Sequence, residues 1–169
     1  MFLCVNALKA VVAVGLVVLA STACASRPHA LASSQIAAWS PVGGLSVPTP
    51  RGFHDRRWGD GVAISDGTIG PGTASAPLTA GYLPQDPNRV SFSVFQGVFH
   101  GLLPPHDLRL PVTLHDLSRA SGGLTLWGGV FRIRNQIYGV ELWLGQNATS
   151  RDRSTLLAAL ASIEPSTVG

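Results

Sequence analysis

Leu124-Thr-Leu-Trp-Gly-Gly-Val-Phe-Arg-Ile-Arg134, then Asn135-Gln136, then Ile137-Tyr-Gly-Val-Glu-Leu-Trp-Leu144 reads as two strands joined by a tight turn. In the second strand Tyr138, Val140, Leu142 and Leu144 recur at every other position and so share one face. Asn135 tolerates the positive φ of a short hairpin turn. Gly128-Gly129 is expected to bend the first strand. Directly behind the hairpin, Ser150 to Ile163 reads as a helix, with Thr149 or Ser150 as cap and Asp152 at the positive end of its dipole. Leu156, Leu157, Leu160 and Ile163 form an apolar stripe, and Pro165 lies just past the stop. Burying four such side chains is worth roughly 6–12 kcal/mol before entropy. Strands followed by one helix with such a stripe define the α+β class: an antiparallel sheet with the C-terminal helix packed on one face.

Working outward, Arg89 to Phe99 is a strong strand, with Val90, Phe92 and Val94 facing one way, Ser91 and Ser93 the other, and Gly97 expected at a bulge. Gly61-Val-Ala-Ile-Ser65 alternates and ends at Asp66-Gly67. Gly44-Leu-Ser-Val-Pro48 is a short alternating run that Pro48 and Pro50 are expected to stop, and Arg51 to Trp58 reads as a turn-rich connection. Residues 67–88, dense in Gly, Pro, Ser and Thr, form a long connection expected as a surface excursion or flap. After Pro104-Pro105, Leu108 to Leu114 reads as a short edge strand interrupted by Pro111.

The first residues have a different character. Lys9 precedes an uncharged apolar run from Ala10 to Ala20, and small residues follow up to Cys24. A cation, an 11-residue apolar segment and a small-residue processing site make an export signal, too short to span a bilayer as a helix. Ala20-Ser21-Thr22-Ala23-Cys24 resembles the bacterial lipobox, with Ser21 where that family usually carries Leu. The resemblance implies that Cys24 is lipidated and becomes the mature N-terminus. Ala23-Cys24-Ala25 also satisfies the A-x-A pattern, so ordinary signal-peptidase cleavage after Ala25, and secretion, is the alternative. Cys4 falls in the discarded segment, so no intramolecular disulfide is open to the mature chain, and acylation removes an otherwise solitary thiol. The expected organisation is a signal peptide over 1–23, a lipidated N-terminus and flexible tether over 24–40, and one α+β domain over 41–169. Some 15 tether residues have a root-mean-square span of roughly 20 Å.

The hairpin followed by Asp152 and Leu156-Leu-Ala-Ala-Leu-Ala-Ser-Ile163-Glu-Pro resembles the ending of exported domains with the PsbP/Mog1-like fold, found among actinobacterial cell-envelope lipoproteins. The likeness covers about 45 residues and carries no catalytic residue with it.

Composition excludes several kinds of chemistry. Lys9 is the only lysine; arginine supplies the other 11 of the 12 basic side chains, against 9 acidic ones. The net charge of +3 reflects few acids rather than a basic patch and gives no reason to expect nucleic acid. G-x-S-x-G, H-E-x-x-H and S-x-x-K are absent, and a mature chain without lysine excludes Schiff-base catalysis. Its two glutamates, Glu141 on a strand and Glu164 beyond the helix, make a poor acid–base pair. Three His-Asp pairs remain: His54-Asp55, His106-Asp107 and His115-Asp116. His100, His106 and His115 have the donor chemistry of a zinc site, but spacings of six and nine residues match no metal motif, and the nearby prolines place them on loops. Arg51, Arg56 and Arg57 around Phe53 and Trp58, and Arg132 with Arg134 on one hairpin face, read as solubilising surface arginines.

No catalytic, cofactor or metal residue is therefore expected; Cys24 is the one site residue. The expected function is a non-enzymatic domain at the extracytoplasmic face of the cell membrane, held by its lipid and binding an envelope protein, a glycan or a small apolar ligand. The alternatives are a secreted hydrolytic or metal-assisted enzyme built on the His-Asp residues, and a purely structural envelope component.

Overall fold

A computed structural model of the chain describes residues 29–69, 86–97, 106–107, 109–119 and 126–167. The expected signal segment, Cys24 and His100 lie outside the described residues. Among those described, ten strands form two sheets, and one α-helix packs against them. Strands β1 (Ile36–Val42), β2 (Leu45–Pro50) and β10 (Glu164–Pro165) make the small sheet, in the order β1-β2-β10. The large sheet runs β3 (His54–Trp58), β4 (Gly61–Ser65), β5 (Val90–Gln96), β9 (Gln136–Leu144), β8 (Leu126–Ile133) and β6 (His106–Asp107), while β7 (Ser118–Arg119) also pairs with β8. All pairings are antiparallel except β6 with β8.

Helix α1 spans Ser150–Ala161, and its cap is Thr149, whose Oγ1 accepts from the Asp152 backbone N–H at 3.1 Å. Leu156, Leu160 and Ile163 are buried and Leu157 half-buried, so the expected stripe is the packed one. It meets Val42, Leu45 and Val47 of the small sheet and Val62, Ile64, Phe92, Val140 and Leu142 of the large one in a single core. The helix and the small sheet thus cover one face of the large sheet.

The hairpin turn sits one position earlier than expected. Ile133 pairs with Gln136, which leaves Arg134 and Asn135 as the turn, both left-handed at φ +50° and +64°. That is the mirror-type turn whose twist matches the strands. The register of β8 runs unbroken through Gly128 and Gly129, so no bulge lies there. Gly97, expected at a bulge, instead lies just past the end of β5, at φ +155°.

Several segments read as loops are strands. The expected tether through Ser40 is replaced from Ile36 by β1, and Leu31 donates its backbone N–H to Ser162 Oγ at 2.7 Å, so the domain begins about ten residues early. His54–Trp58 is an edge strand on which His54, Asp55 and Arg57 are exposed, which hid it in the sequence. Pro48 and Pro50 do not stop β2. The Gly44 carbonyl accepts from Ser166 N–H on the β10 side, so alternation aims Ser46, Pro48 and Pro50 at that same edge. β10 pairs only with Ser46 and Leu45, so the two prolines face an edge with no ladder bond to lose. The edge strand expected over 108–114 is instead His106–Asp107, followed by a 3₁₀ turn at Leu114–Asp116.

Candidate functional site

The other face of the large sheet carries the chemistry. Strand registers place Arg56, Ala63, Ser93, Glu141, Gly128 and Ser118 in one row across β3, β4, β5, β9, β8 and β7. Flanking rows bring Ser65, Ser91, Trp143 and Leu126 to one side of it, and Trp58, Phe95, Gly139 and Val130 to the other. The row is lined by small residues at its centre and by aromatic ones at its sides.

Trp143 packs on Ala63, with Trp58, Ile69 and Leu126 against the pair. Its indole starts on β9 and must cross β5 to reach β4, so it passes over Ser91 and Ser93. Small side chains there make room for the ring. Its Nε1–H donates to the Asp86 carbonyl at 2.9 Å, which fixes the ring's orientation. The serines beneath are 0% and 1% exposed, and neither hydroxyl has a hydrogen-bond partner among the described residues. Ser65 in the same layer differs: its hydroxyl donates to the Val90 carbonyl and accepts from Gly67 N–H. Alternation correctly put Ser91 and Ser93 on the face opposite Val90, Phe92 and Val94, but that face is covered rather than solvated.

Glu141 stands directly opposite Ser93 on one side and Gly128 on the other. Its Oε2 is shielded from solvent and has no hydrogen-bond partner among the described residues. Burial pushes its carboxyl above the ordinary value, and no cation among the described residues offsets this. An unpaired buried acceptor of this kind costs about 1–3 kcal/mol, more when charged. Among the described residues, a Cβ at Gly128 would meet only the Val140 carbonyl, at 3.6 Å. By contrast, a Cβ at Gly139 would run into the Phe95 ring, so that glycine is already filled by its neighbour.

The residues singled out from sequence do not gather. His54 on β3 and His106 on β6 lie at opposite edges of the large sheet, five strand steps or roughly 24 Å apart. Asp55 accepts from Ser40 Oγ, Asp107 pairs with Arg132 at 3.4 Å, and His106 meets Phe131 edge-on. Asp116 Oδ2 accepts from the backbone N–H and hydroxyl of Thr113, closing the 3₁₀ turn beside His115. Among the described residues no three His, Cys, Asp or Glu side chains form a metal-holding group. Arg51, Arg56 and Arg57 donate to the carbonyls of Ser34, Ile69 and Pro41, stapling β3 and its approach to neighbouring segments. Arg134 does not share a strand face with Arg132, because it occupies the turn. Glu141 was weighed from sequence only as half of an acid–base pair with Glu164 and set aside. Its signal was present as the one acid in an otherwise apolar and aromatic strand.

A separate groove of about 500 Å³ lies at the start of α1, lined by Arg51, Arg151, Asp66 and Asp152 among others. Asp66 is raised by burial but accepts from Val90 N–H, and Asp152 binds the Thr149 cap. Its carboxylates therefore have partners, whereas Oε2 of Glu141 has none among the described residues. No described helix is long and apolar enough to cross a membrane. No protein-family model, curated protein or solved structure matches the chain.

Proposed function

We propose that this protein is a non-enzymatic binding domain, held at the extracytoplasmic face of the cell membrane by a lipid on Cys24, which engages its partner through the sheet face that carries Glu141. The observation behind the binding face is the half-buried Glu141 on it, whose Oε2, like the hydroxyls of Ser91 and Ser93, has no hydrogen-bond partner among the described residues. Nucleophilic catalysis needs a base hydrogen-bonded to its nucleophile. Ser93 stands opposite Glu141 without such a bond among the described residues, so the pair is suited to recognition rather than turnover. The anchor rests on Ala20-Ser21-Thr22-Ala23-Cys24 and the export signal before it, in keeping with the PsbP/Mog1-like ending of exported envelope domains.

Fractionation of cells making the Cys24→Ser protein tests the anchor. The variant should leave the membrane fraction and lose acylation, and an unmodified Ser26 N-terminus on the wild-type protein would overturn the assignment. Hydrolysis of ester, phosphate or glycoside reporters, abolished in a His106→Ala variant, would replace the binding domain with an enzyme.

A further inference from the structure

Three of the four tryptophans are held in place. Trp143 donates its indole N–H to the Asp86 carbonyl, Trp58 packs against the Ala63–Trp143 pair, and Trp127 lies against the core with Arg119 over its ring. Trp39 on β1 is the exception: it is 44% exposed, and no other large hydrophobic residue among those described is exposed. Burial alternates along the end of its strand, with Ser40 and Val42 buried and Trp39 and Pro41 exposed. Val42 joins the core, so Trp39 and Pro41 point away from it, on the outer side of the small sheet. Ala37 and Ala38 beside them are exposed too. Because the small sheet covers one face of the large sheet, this outer side lies opposite the face that carries Glu141.

We propose that this outer side rests on the membrane surface, with the Trp39 indole seated at the level of the lipid headgroups. The inference rests on the lipid assigned to Cys24 above, and its ground is the length of chain between that lipid and the domain. Leu31 is fixed by its bond to Ser162 Oγ, so seven residue steps, from Cys24 to Leu31, separate the anchor from folded structure. Seven steps extend to at most about 25 Å and have a root-mean-square span of roughly 15 Å. From Leu31 the chain runs through the 3₁₀ turn Ser33–Gln35 and along β1 to Trp39, a path of at most roughly 23 Å. Trp39 can therefore touch the headgroups while the lipid is inserted. A tryptophan suits that level because its ring is apolar and its N–H polar, which is why indoles collect at membrane–water interfaces. The short tether makes docking intramolecular, so the weak attraction of one ring is enough. A protein partner fits less well, since a stable interface buries about 1,200–2,000 Å², whereas this patch is one indole flanked by two alanines and a proline. At its margin Arg57 donates to the Pro41 carbonyl and Asp55 accepts from Ser40 Oγ. These charges balance, so the indole rather than an anionic headgroup sets the attraction. With this side down, the Glu141 face is turned away from the bilayer.

Tryptophan fluorescence in vesicles tests the docking, using the full chain as cells process it, reconstituted into phosphatidylcholine brominated near the headgroup. Bromine quenches only indoles close to it. The wild type should lose part of its emission, and Trp39→Phe, which keeps an aromatic ring on the strand, should lose none. Melting curves of the two proteins check that both are folded. Intact mass and flotation with the vesicles report the anchor separately. A protein that carries the lipid and floats but shows no quenching, or shows it equally in Trp39→Phe, overturns the docking and leaves the anchor in place. A protein that carries no lipid and stays behind when the vesicles float overturns both. A blue shift of Trp39 emission that grows with protein density in unbrominated vesicles, without quenching in brominated ones, assigns the face to a second copy of the chain and overturns the docking.

Discussion

Replacing Leu160 with Ala should cost the domain about 3 kcal/mol, whereas the same change at Leu157 should cost less than about half of that. Leu160 is 0% exposed and lies in the core shared by the helix and both sheets. Full truncation of such a leucine removes three carbons from this core and leaves a cavity, which costs about 2–5 kcal/mol. Leu157 packs against the same core but keeps part of its surface in water, so less transfer energy is lost and solvent can fill the space. Against a total stability of about 5–15 kcal/mol, a 3 kcal/mol loss is a large fraction. For a domain of this size it corresponds to a fall in Tm of roughly 10 °C. Both variants keep the helix propensity high, because alanine replaces leucine, so the difference reports docking rather than helix formation. Urea unfolding followed by circular dichroism measures it, with the slope checked for constancy. Equal losses at the two positions would refute the docked orientation of α1, and a negligible loss at Leu160 would refute the docking itself.

Glu141→Gln should raise the melting temperature, and the gain should grow with pH. Because burial raises the carboxyl's pKa in the folded state, the folded protein holds that proton longer than the unfolded chain does. The wild type therefore loses stability as pH rises from the ordinary carboxyl value through the raised folded one, and the glutamine variant does not. Melting curves from about pH 4 to pH 8 check this, and a gain that stays flat with pH would show that the Glu141 carboxyl is not shielded as described. Thr149→Ala removes the side-chain cap of α1 and should cost about 0.5–2 kcal/mol, mostly recovered in Thr149→Asp. Urea midpoints of the two variants measure that contribution, and equal losses would assign it to something other than capping.

Elements whose residues decide their own conformation were legible from sequence alone. The hairpin and α1 carry their periodicity, cap and stripe within some 40 consecutive residues, from Leu124 to Ile163. Periods of two and 3.6 are local properties of the chain, and so are the capping preferences of Thr149. Where an element depends on what lies beside it, the sequence was silent or misleading. Ile36–Val42 and His54–Trp58 are strands because each pairs with a neighbour, while their alanines and charged side chains read as tether and loop. Pro48 and Pro50 sit within a strand because β10 ends before reaching them. The turn moved to Arg134-Asn135 because the cross-strand register, fixed by the side chains of β8 and β9, outweighs the preference of arginine for negative φ. The candidate site is the clearest case. Alternation identified Ser91 and Ser93 as facing away from the core, but not that the Trp143 indole would cross them. Glu141 likewise gained its surroundings only when β5 and β8 set Ser93 and Gly128 on either side of it. Burial is a property of the assembled sheet, contributed by residues about 50 positions apart, so no window of sequence contains it.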